Sequence, residues 1–149
     1  MKNSEEMREI IDSIISAELY EGDYGDCISN VDAIMSDVDD SDREGLPVDY
    51  LNFLAEFGFG ELDAAFYMDD SPVKYSSICG REIDGHEGLY VFGGNSSEML
   101  YAFDSKNDWT IVQISSETDD FEVVSADFCS FILGKLKYIQ ELVNWRAAN

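Results

Sequence analysis

The sequence predicts an α+β fold: a mainly antiparallel sheet of about four to six strands, with N-terminal helices and a long C-terminal helix. Three patterns indicate this class. Apolar residues recur at helical spacing near the N-terminus, a period of two dominates the middle of the chain, and helical spacing returns at the end. A length of 149 residues suits one domain, so we assign residues 1–149 to a single unit.

The first helix is predicted from apolar residues at helical spacing: Met7, Ile10, Ile11, Ile14, Ile15 and Leu19. Asn3 can cap this helix, with Glu6 at the reciprocal position of a capping box. The glycines of the acidic connection EGDYGD end it, so residues 1–25 comprise this helix and that connection. A second, shorter helix from Ser29 to about Val38 would turn Val31, Ile34, Met35 and Val38 inward.

The stretch LPVDYLNFLAEFGFGEL (46–62) predicts a short helix packed against a sheet. Pro47 suits the first helical turn, because its missing N–H group is not needed there. An aromatic and aliphatic stripe follows at positions i, i+3, i+4 and i+7: Tyr50, Phe53, Leu54 and Phe57. Gly58 can adopt the left-handed conformation that ends a helix. We therefore assign these aromatic residues to the core and not to a ligand site.

Downstream, alternating patterns separated by turn residues predict strands at AAFYM (64–68), GLYVFGG (88–94), EMLYAFD (98–104) and DWTIVQIS (108–115). VKYSSIC (73–79) fits a further strand or an extended connection, and FEVV (121–124) fits a short strand. GGNSS and DSKND resemble hairpin connections, so neighbouring strands should be antiparallel. Ser125 can cap a final long helix that buries Phe128, Phe131, Ile132, Leu136, Ile139 and Leu142.

The charge is strongly acidic and unevenly distributed. There are 32 Asp and Glu against 9 Lys and Arg, a formal net charge of −23. Residues 1–70 contain 20 acidic and 3 basic side chains, whereas residues 71–149 contain 12 and 6. Such a field repels nucleic acid and anionic membranes and favours encounter with a basic protein, although it also serves solubility alone. We expect a protein partner, no nucleic acid and no membrane contact.

Three isolated cysteines, Cys27, Cys79 and Cys129, form no disulfide or metal-binding pattern, and the acidic N-terminus does not resemble a signal peptide. We therefore expect a cytoplasmic protein. We make no prediction of its oligomeric state.

The sequence contains no recognisable catalytic or cofactor-binding motif. His86, the single histidine, lies in the turn-like segment DGHEG, where we expect a surface residue. The loop DVDDSDREG (37–45) partly follows a calcium-binding pattern, but the glycine position is Asp42 and the final ligand position is Val48. We assign no metal site and no cofactor, and leave open weak divalent-ion binding by this loop. The prediction is a protein without enzymatic activity.

The order of these signals resembles the SUKH superfamily, which includes the yeast cell-wall-assembly regulator and many bacterial immunity proteins. LPVDYLNFLAEFGFGEL, GLYVFGGNSSEMLYAFD and VVSADFCSFILGKL carry the resemblance, which covers residues 29–137 approximately. It implies an α+β fold, no enzyme activity and binding to a protein. In bacteria, the implied partner is a polymorphic or contact-dependent toxin, often a nuclease, which the immunity protein neutralises.

Two binding functions follow as hypotheses. The first is a bacterial immunity protein that masks a basic toxin domain, and the alternative is a regulatory adaptor or scaffold of the cell-wall-regulator type without a toxin partner. An enzyme, a third hypothesis, would need a clustered polar pocket. Tyr20 and Tyr24 are candidates either for protein contact or for capping the small core under the first helix. The candidate partner-binding residues are Tyr20, Asp23, Tyr24, Asp26, Asp37, Asp39, Asp40, Asp42, Glu44, Asp69 and Asp70.

Overall fold

A computed structural model describes residues 3–18, 20–28 and 30–148, and only the backbone of Val31. It confirms the α+β class. The helices are Ser4–Ile15 (α1), Val48–Glu56 (α2), Tyr75–Cys79 (α3) and Phe128–Ala148 (α4), and two short 3₁₀ helices span Val31–Met35 and Arg43–Gly45. Six antiparallel strands form one sheet in chain order: Gly60–Asp63 (β1), Phe66–Lys74 (β2), Leu89–Gly94 (β3), Met99–Asp104 (β4), Thr110–Ser115 (β5) and Phe121–Ser125 (β6).

One face of the sheet packs against α1, α2 and α4 through an aromatic core. The ring of Tyr50 lies 5.0 Å from that of Phe103 and 5.4 Å from that of Phe128, both edge to face. Phe92 stacks on Phe103 at 4.6 Å. Such ring pairs add about 0.5–1.5 kcal/mol each beyond the area they bury. The predicted core role of the aromatic stripe in α2 is thus confirmed.

The opposite face of the sheet has a smaller apolar layer: Tyr75, Leu89, Val91, Ala102, Val112 and Ile114. Half-buried Cys79 and Ile83 cover this layer, so α3 and the chain after it close this side. VKYSSIC is therefore neither a full strand nor an extended connection. β2 continues to Lys74, and the helix α3 begins at Tyr75.

The structure corrects three details of the predicted helix ends. Asn3 occupies the N-cap position of α1, but its backbone is left-handed (φ 66°) and its side chain makes no cap; its Nδ2 atom lies 4.0 Å from the sulfur of Cys129. The second helix is only the 3₁₀ turn Val31–Met35, which Asn30 caps by accepting a hydrogen bond from the N–H of Asp32. Asp127 and not Ser125 caps α4, since its carboxylate accepts a 2.8 Å hydrogen bond from the N–H of Ser130.

Most apolar positions predicted to face inward do so. Met7, Ile10, Ile11 and Ile14 of α1 are buried, as are Ile34 and Val38, whereas Ile15, Met35 and Leu142 are half-buried. Leu19, Ser29 and the side chain of Val31 lie outside the described residues.

Candidate protein-binding surface

The acidic loop 37–45 folds back onto the ends of β2 and β3 and is held there by its own carboxylates. Asp37 accepts hydrogen bonds from the backbone N–H of Lys74 at 2.7 Å and from the hydroxyl of Ser77 at 3.0 Å. Lys74 immediately precedes α3, so Asp37 satisfies a backbone N–H group that the short helix cannot pair internally. The main role of Asp37 is therefore to hold the loop against α3, and not to contact a partner.

Asp39 and Asp42 attach the same loop to the sheet. The ammonium group of Lys74 lies 2.7 Å from Asp39, and this hydrogen bond raises the pKa of Lys74. Asp42 accepts a 2.6 Å hydrogen bond from the hydroxyl of Tyr90. Burial, and then this bond to a carboxylate, raise the pKa of Tyr90 well above its ordinary value. The two contacts fix the loop from both ends.

Asp40 and Glu44 extend from this loop into solvent. The side chain of Asp40 is 93% exposed and makes a 3.3 Å surface ion pair with Arg43. Glu44 is exposed as well. Exposed pairs of this kind contribute about 0–1 kcal/mol to stability. These two carboxylates are therefore available to a partner, unlike Asp37 and Asp42.

The turn between β4 and β5 adds an aromatic residue that sequence reasoning missed. Asp108 and Trp109 both have positive φ, 55° and 58°, and the N–H of Thr110 closes the turn on the carbonyl of Asn107 at 3.1 Å. Positive φ is uncommon for a bulky side chain. The half-buried indole of Trp109 stacks on Tyr90, with ring planes 9° apart and centroids 5.8 Å apart. The sequence predicts a hairpin connection at DSKND (104–108) but places Trp109 in the strand that follows, so its position in the turn was missed.

The acidic loop and this turn lie side by side. A Cβ atom on Gly45 would approach the indole nitrogen of Trp109 to 2.4 Å, so the loop backbone lies directly against the ring. We define the acidic end as Asp39, Asp40, Glu44 and Asp108 together with Trp109. It combines exposed carboxylates with one aromatic side chain on a rigid base.

The segment from Tyr20 to Asp26 pairs with β1 and its approach. The hydroxyl of Tyr20 donates to the carbonyl of Glu61 at 3.0 Å and accepts from the N–H of Tyr24 at 3.0 Å. Tyr24 donates to the carbonyl of Gly58 at 3.0 Å. Burial is the main cause of the raised pKa of Tyr24. Tyr24 is buried and Tyr20 is half-buried, and their hydroxyl groups bond to backbone atoms, so of the two alternatives the core position fits Tyr24, whereas Tyr20 remains partly accessible.

Asp23 and Asp26 belong to the same pairing. The carboxylate of Asp23 accepts a 2.7 Å hydrogen bond from the N–H of Glu61, and Asp26 forms an isolated antiparallel bridge with Phe59. Both side chains remain exposed overall. They are separated in the fold from the acidic end, so the structure does not bring all candidate residues together.

Asp69 and Asp70 lie in an irregularity of β2, where residues between Met68 and Val73 lose register with β3. Asp69 is half-buried and Asp70 is exposed. Burial, and then the neighbouring charge of Asp70, raise the pKa of Asp69 from 3.8 to about 6. Asp69 is therefore still mostly ionised at neutral pH, but it loses its charge as the pH falls through about 6.

His86 is not the surface residue that the sequence predicted. Its half-buried ring lies 5.7 Å from that of Tyr75 and 5.0 Å from that of Phe121, and its Nε2 atom is 2.6 Å from the carbonyl of Asp119. The carboxylate of Asp119 accepts hydrogen bonds from Tyr75 and Arg81. This network joins the β5–β6 turn to α3 and is structural.

Basic side chains in the described residues are largely engaged within the molecule. Five ion pairs join Arg43 to Asp40, Lys74 to Asp39, Arg81 to Asp119, Lys137 to Glu6 and Arg146 to Asp63. Arg8 lies 4.5 Å above the ring of Phe57, and Lys135 donates to the hydroxyl of Tyr101 at 2.7 Å. The acidic surplus of −23 is therefore left to face solvent.

Within the described part of the chain, no three His, Cys, Asp or Glu side chains converge to hold a metal ion. No helix there has the length and apolar character needed to span a membrane. No protein-family model, curated protein or solved structure matches this chain.

Proposed function

We propose that this protein is a non-enzymatic binding module of the SUKH type, a bacterial immunity protein that neutralises a basic toxin domain in the cytoplasm. The observation that carries the proposal is the acidic end. Asp40 and Glu44 are exposed there on a loop that other carboxylates already hold in place, and exposed Asp108 lies beside Trp109 on the adjacent β4–β5 turn.

Charge complementarity supports a basic partner. A nuclease toxin must expose cationic side chains to bind phosphate groups, and an acidic protein surface competes for those same side chains. Complementary charge mainly raises the association rate, and salt reduces the effect within a Debye length of about 8–10 Å. The ion pairs described above leave few cations on the surface to oppose this attraction.

The aromatic side chain supports slow dissociation. Interface residues that contribute most to affinity are commonly Trp, Tyr or Arg, set among contacts that exclude water. Trp109 is half-buried, and its stacking on Tyr90 restricts its rotamers before a partner arrives. The hydrogen bonds of Asp37 and Asp42 likewise order the loop in advance, which lowers the entropic cost of binding.

Co-expression tests the function directly. The chain should rescue growth from arrest by a basic toxin domain encoded beside its gene. A regulatory adaptor, the alternative function, would give no rescue with the neighbouring open reading frame. Failure of rescue with an active neighbouring toxin would overturn the proposal.

Binding kinetics with that toxin domain then test the surface. The triple variant Asp40→Asn, Glu44→Gln and Asp108→Asn should lower the association rate about tenfold at low salt, and less at high salt. The control variant Glu5→Gln, Glu9→Gln and Glu117→Gln removes the same charge elsewhere and should have a smaller effect. Trp109→Ala should mainly raise the dissociation rate. An association rate that does not change with salt concentration would show that the acidic end does not attract the toxin domain by its charge.

A further inference from the structure

A groove of about 540 Å³ lies away from the acidic end, between the last turn of α1, the strand β1 and the last turns of α4. Its floor is apolar and includes the buried side chains of Ile14 and Leu62 and the half-buried Val143. Its rim contains three exposed carboxylates, Glu18, Glu21 and Glu61. We refer to this site as the acidic groove.

One guanidinium group already occupies an edge of the acidic groove. Arg146 of α4 contacts both carboxylate oxygens of Asp63, at 2.6 and 3.4 Å. Burial alone would raise the pKa of Asp63. The hydrogen bonds from Arg146 and from the N–H of Ala65 lower it by more, so the pKa lies below its usual range. Asp63 is therefore ionised and satisfied within the chain.

The three rim carboxylates differ from Asp63 in this respect. None of the ion pairs formed by the described residues includes Glu18, Glu21 or Glu61. Tyr20 lines the groove between them, and its hydroxyl bonds to Glu61 and Tyr24 hold the ring in position. A cation that enters the groove can therefore be attracted both by the face of this aromatic ring and by the negative charge of the carboxylates.

We propose that the acidic groove receives an arginine side chain of the basic partner protein. The methylene stem would lie on the apolar floor, as long basic side chains commonly do. The guanidinium group would meet the rim carboxylates beside Tyr20. This inference rests on the proposed function for the identity of the partner, and it assigns Tyr20 a contact role that the acidic end does not explain.

A peptide titration tests this site without any toxin. The probe is the blocked peptide acetyl-Gly-Arg-Leu-Gly-amide, followed by amide chemical shifts of the ¹⁵N-labelled full chain. We expect shifts concentrated at Ala17, Gly22 and Ala64. The matched peptide with citrulline in place of arginine keeps the shape but lacks the charge, and it should bind about tenfold more weakly.

Two variants separate the groove from general acidity. Glu18→Gln, Glu21→Gln and Glu61→Gln together should abolish the localised shifts, whereas Asp40→Asn, Glu44→Gln and Asp108→Asn should retain them. Well-dispersed spectra of both variants establish that each is folded. Equal binding of the citrulline peptide, shifts at the acidic end alone, or equal losses in both variants would overturn the inference. Because no toxin is present, such a failure leaves the growth-rescue test of the proposed function intact.

Discussion

The hydroxyl group of Tyr90 donates a 2.6 Å hydrogen bond to the carboxylate of Asp42 and also lies 3.3 Å from the N–H of Asp39. One side chain of β3 thus holds two residues of the acidic loop. On its other side, the same ring stacks against Trp109. Tyr90 therefore connects the loop and the β4–β5 turn into one surface.

Removing this hydroxyl should loosen the acidic end. Tyr90→Phe keeps the ring but loses the hydrogen bond to a charged acceptor, so the free energy of unfolding should fall by about 1–2 kcal/mol. Urea denaturation measures this change. Tyr138→Phe, at a 50% exposed position of α4, is the control and should change stability little. An equal loss in both variants would contradict a special role for Tyr90.

Substitution by alanine should change the free energy of unfolding in opposite directions at Gly45 and Gly134. At Gly45 an added Cβ atom would meet the indole nitrogen of Trp109 at 2.4 Å, so the ring or the loop must shift. Gly45→Ala should lower the free energy of unfolding by about 1–2 kcal/mol and alter the fluorescence of Trp109. Gly134 of α4 has open space, and Gly134→Ala should raise stability by about 0.5–1 kcal/mol. Calorimetry and emission spectra provide the measurements; an unchanged Trp109 signal in Gly45→Ala would contradict the close packing.

The features predicted correctly from the sequence are those that a local pattern encodes. The strands β3, β4 and β5 are largely apolar segments of six residues each between turn signals, and the apolar stripe of α2 recurs at helical spacing. In each case the residues that determine the element lie within it. Their tertiary partners add stability without changing the type of element.

The features that were missed depend on partners distant in the chain. Asp37 supports α3 across 37 residues, and Tyr90 holds Asp42 across 48 residues, so no local pattern distinguishes these carboxylates from exposed Asp40. The sequence therefore predicts only that the candidate site is rich in acidic residues. The structure shows which of these carboxylates hold the loop in place and which are free to contact a partner. Trp109 was missed because its contacts with Tyr90 and Gly45 also come from other elements.

The raised pKa of Asp69 predicts a pH-dependent stability. Its value of about 6 in the folded protein exceeds its ordinary value of 3.8, so the native state holds the proton more tightly between these two values. The free energy of unfolding should therefore fall as the pH rises from about 4 to 6. Asp69→Asn should remove this slope and be more stable at pH 7 by about 1–2 kcal/mol, a magnitude reduced for partial solvent exposure.

Asp70→Asn provides the comparison for Asp69. It removes the neighbouring negative charge but leaves the titrating group, so the inflection should move to lower pH without disappearing. Urea unfolding at a series of pH values measures both variants. A slope in Asp69→Asn equal to that of the unmodified chain would assign the pH dependence to other carboxylates.

Removing the hydroxyl group of Tyr50 should not destabilise the core. It is buried beneath the aromatic cluster and has no hydrogen-bond partner among the described atoms, and burial raises its pKa well above the ordinary value. Because an unpaired buried hydroxyl costs about 1–3 kcal/mol, Tyr50→Phe should leave the free energy of unfolding unchanged or raise it by about 1 kcal/mol. Tyr24→Phe is the matched control, since it removes the 3.0 Å bond to the carbonyl of Gly58 and should be destabilising by about 1–2 kcal/mol. Thermal unfolding of both variants measures the contrast, and a loss in Tyr50→Phe as large as that in Tyr24→Phe would show that the Tyr50 hydroxyl is paired in solution.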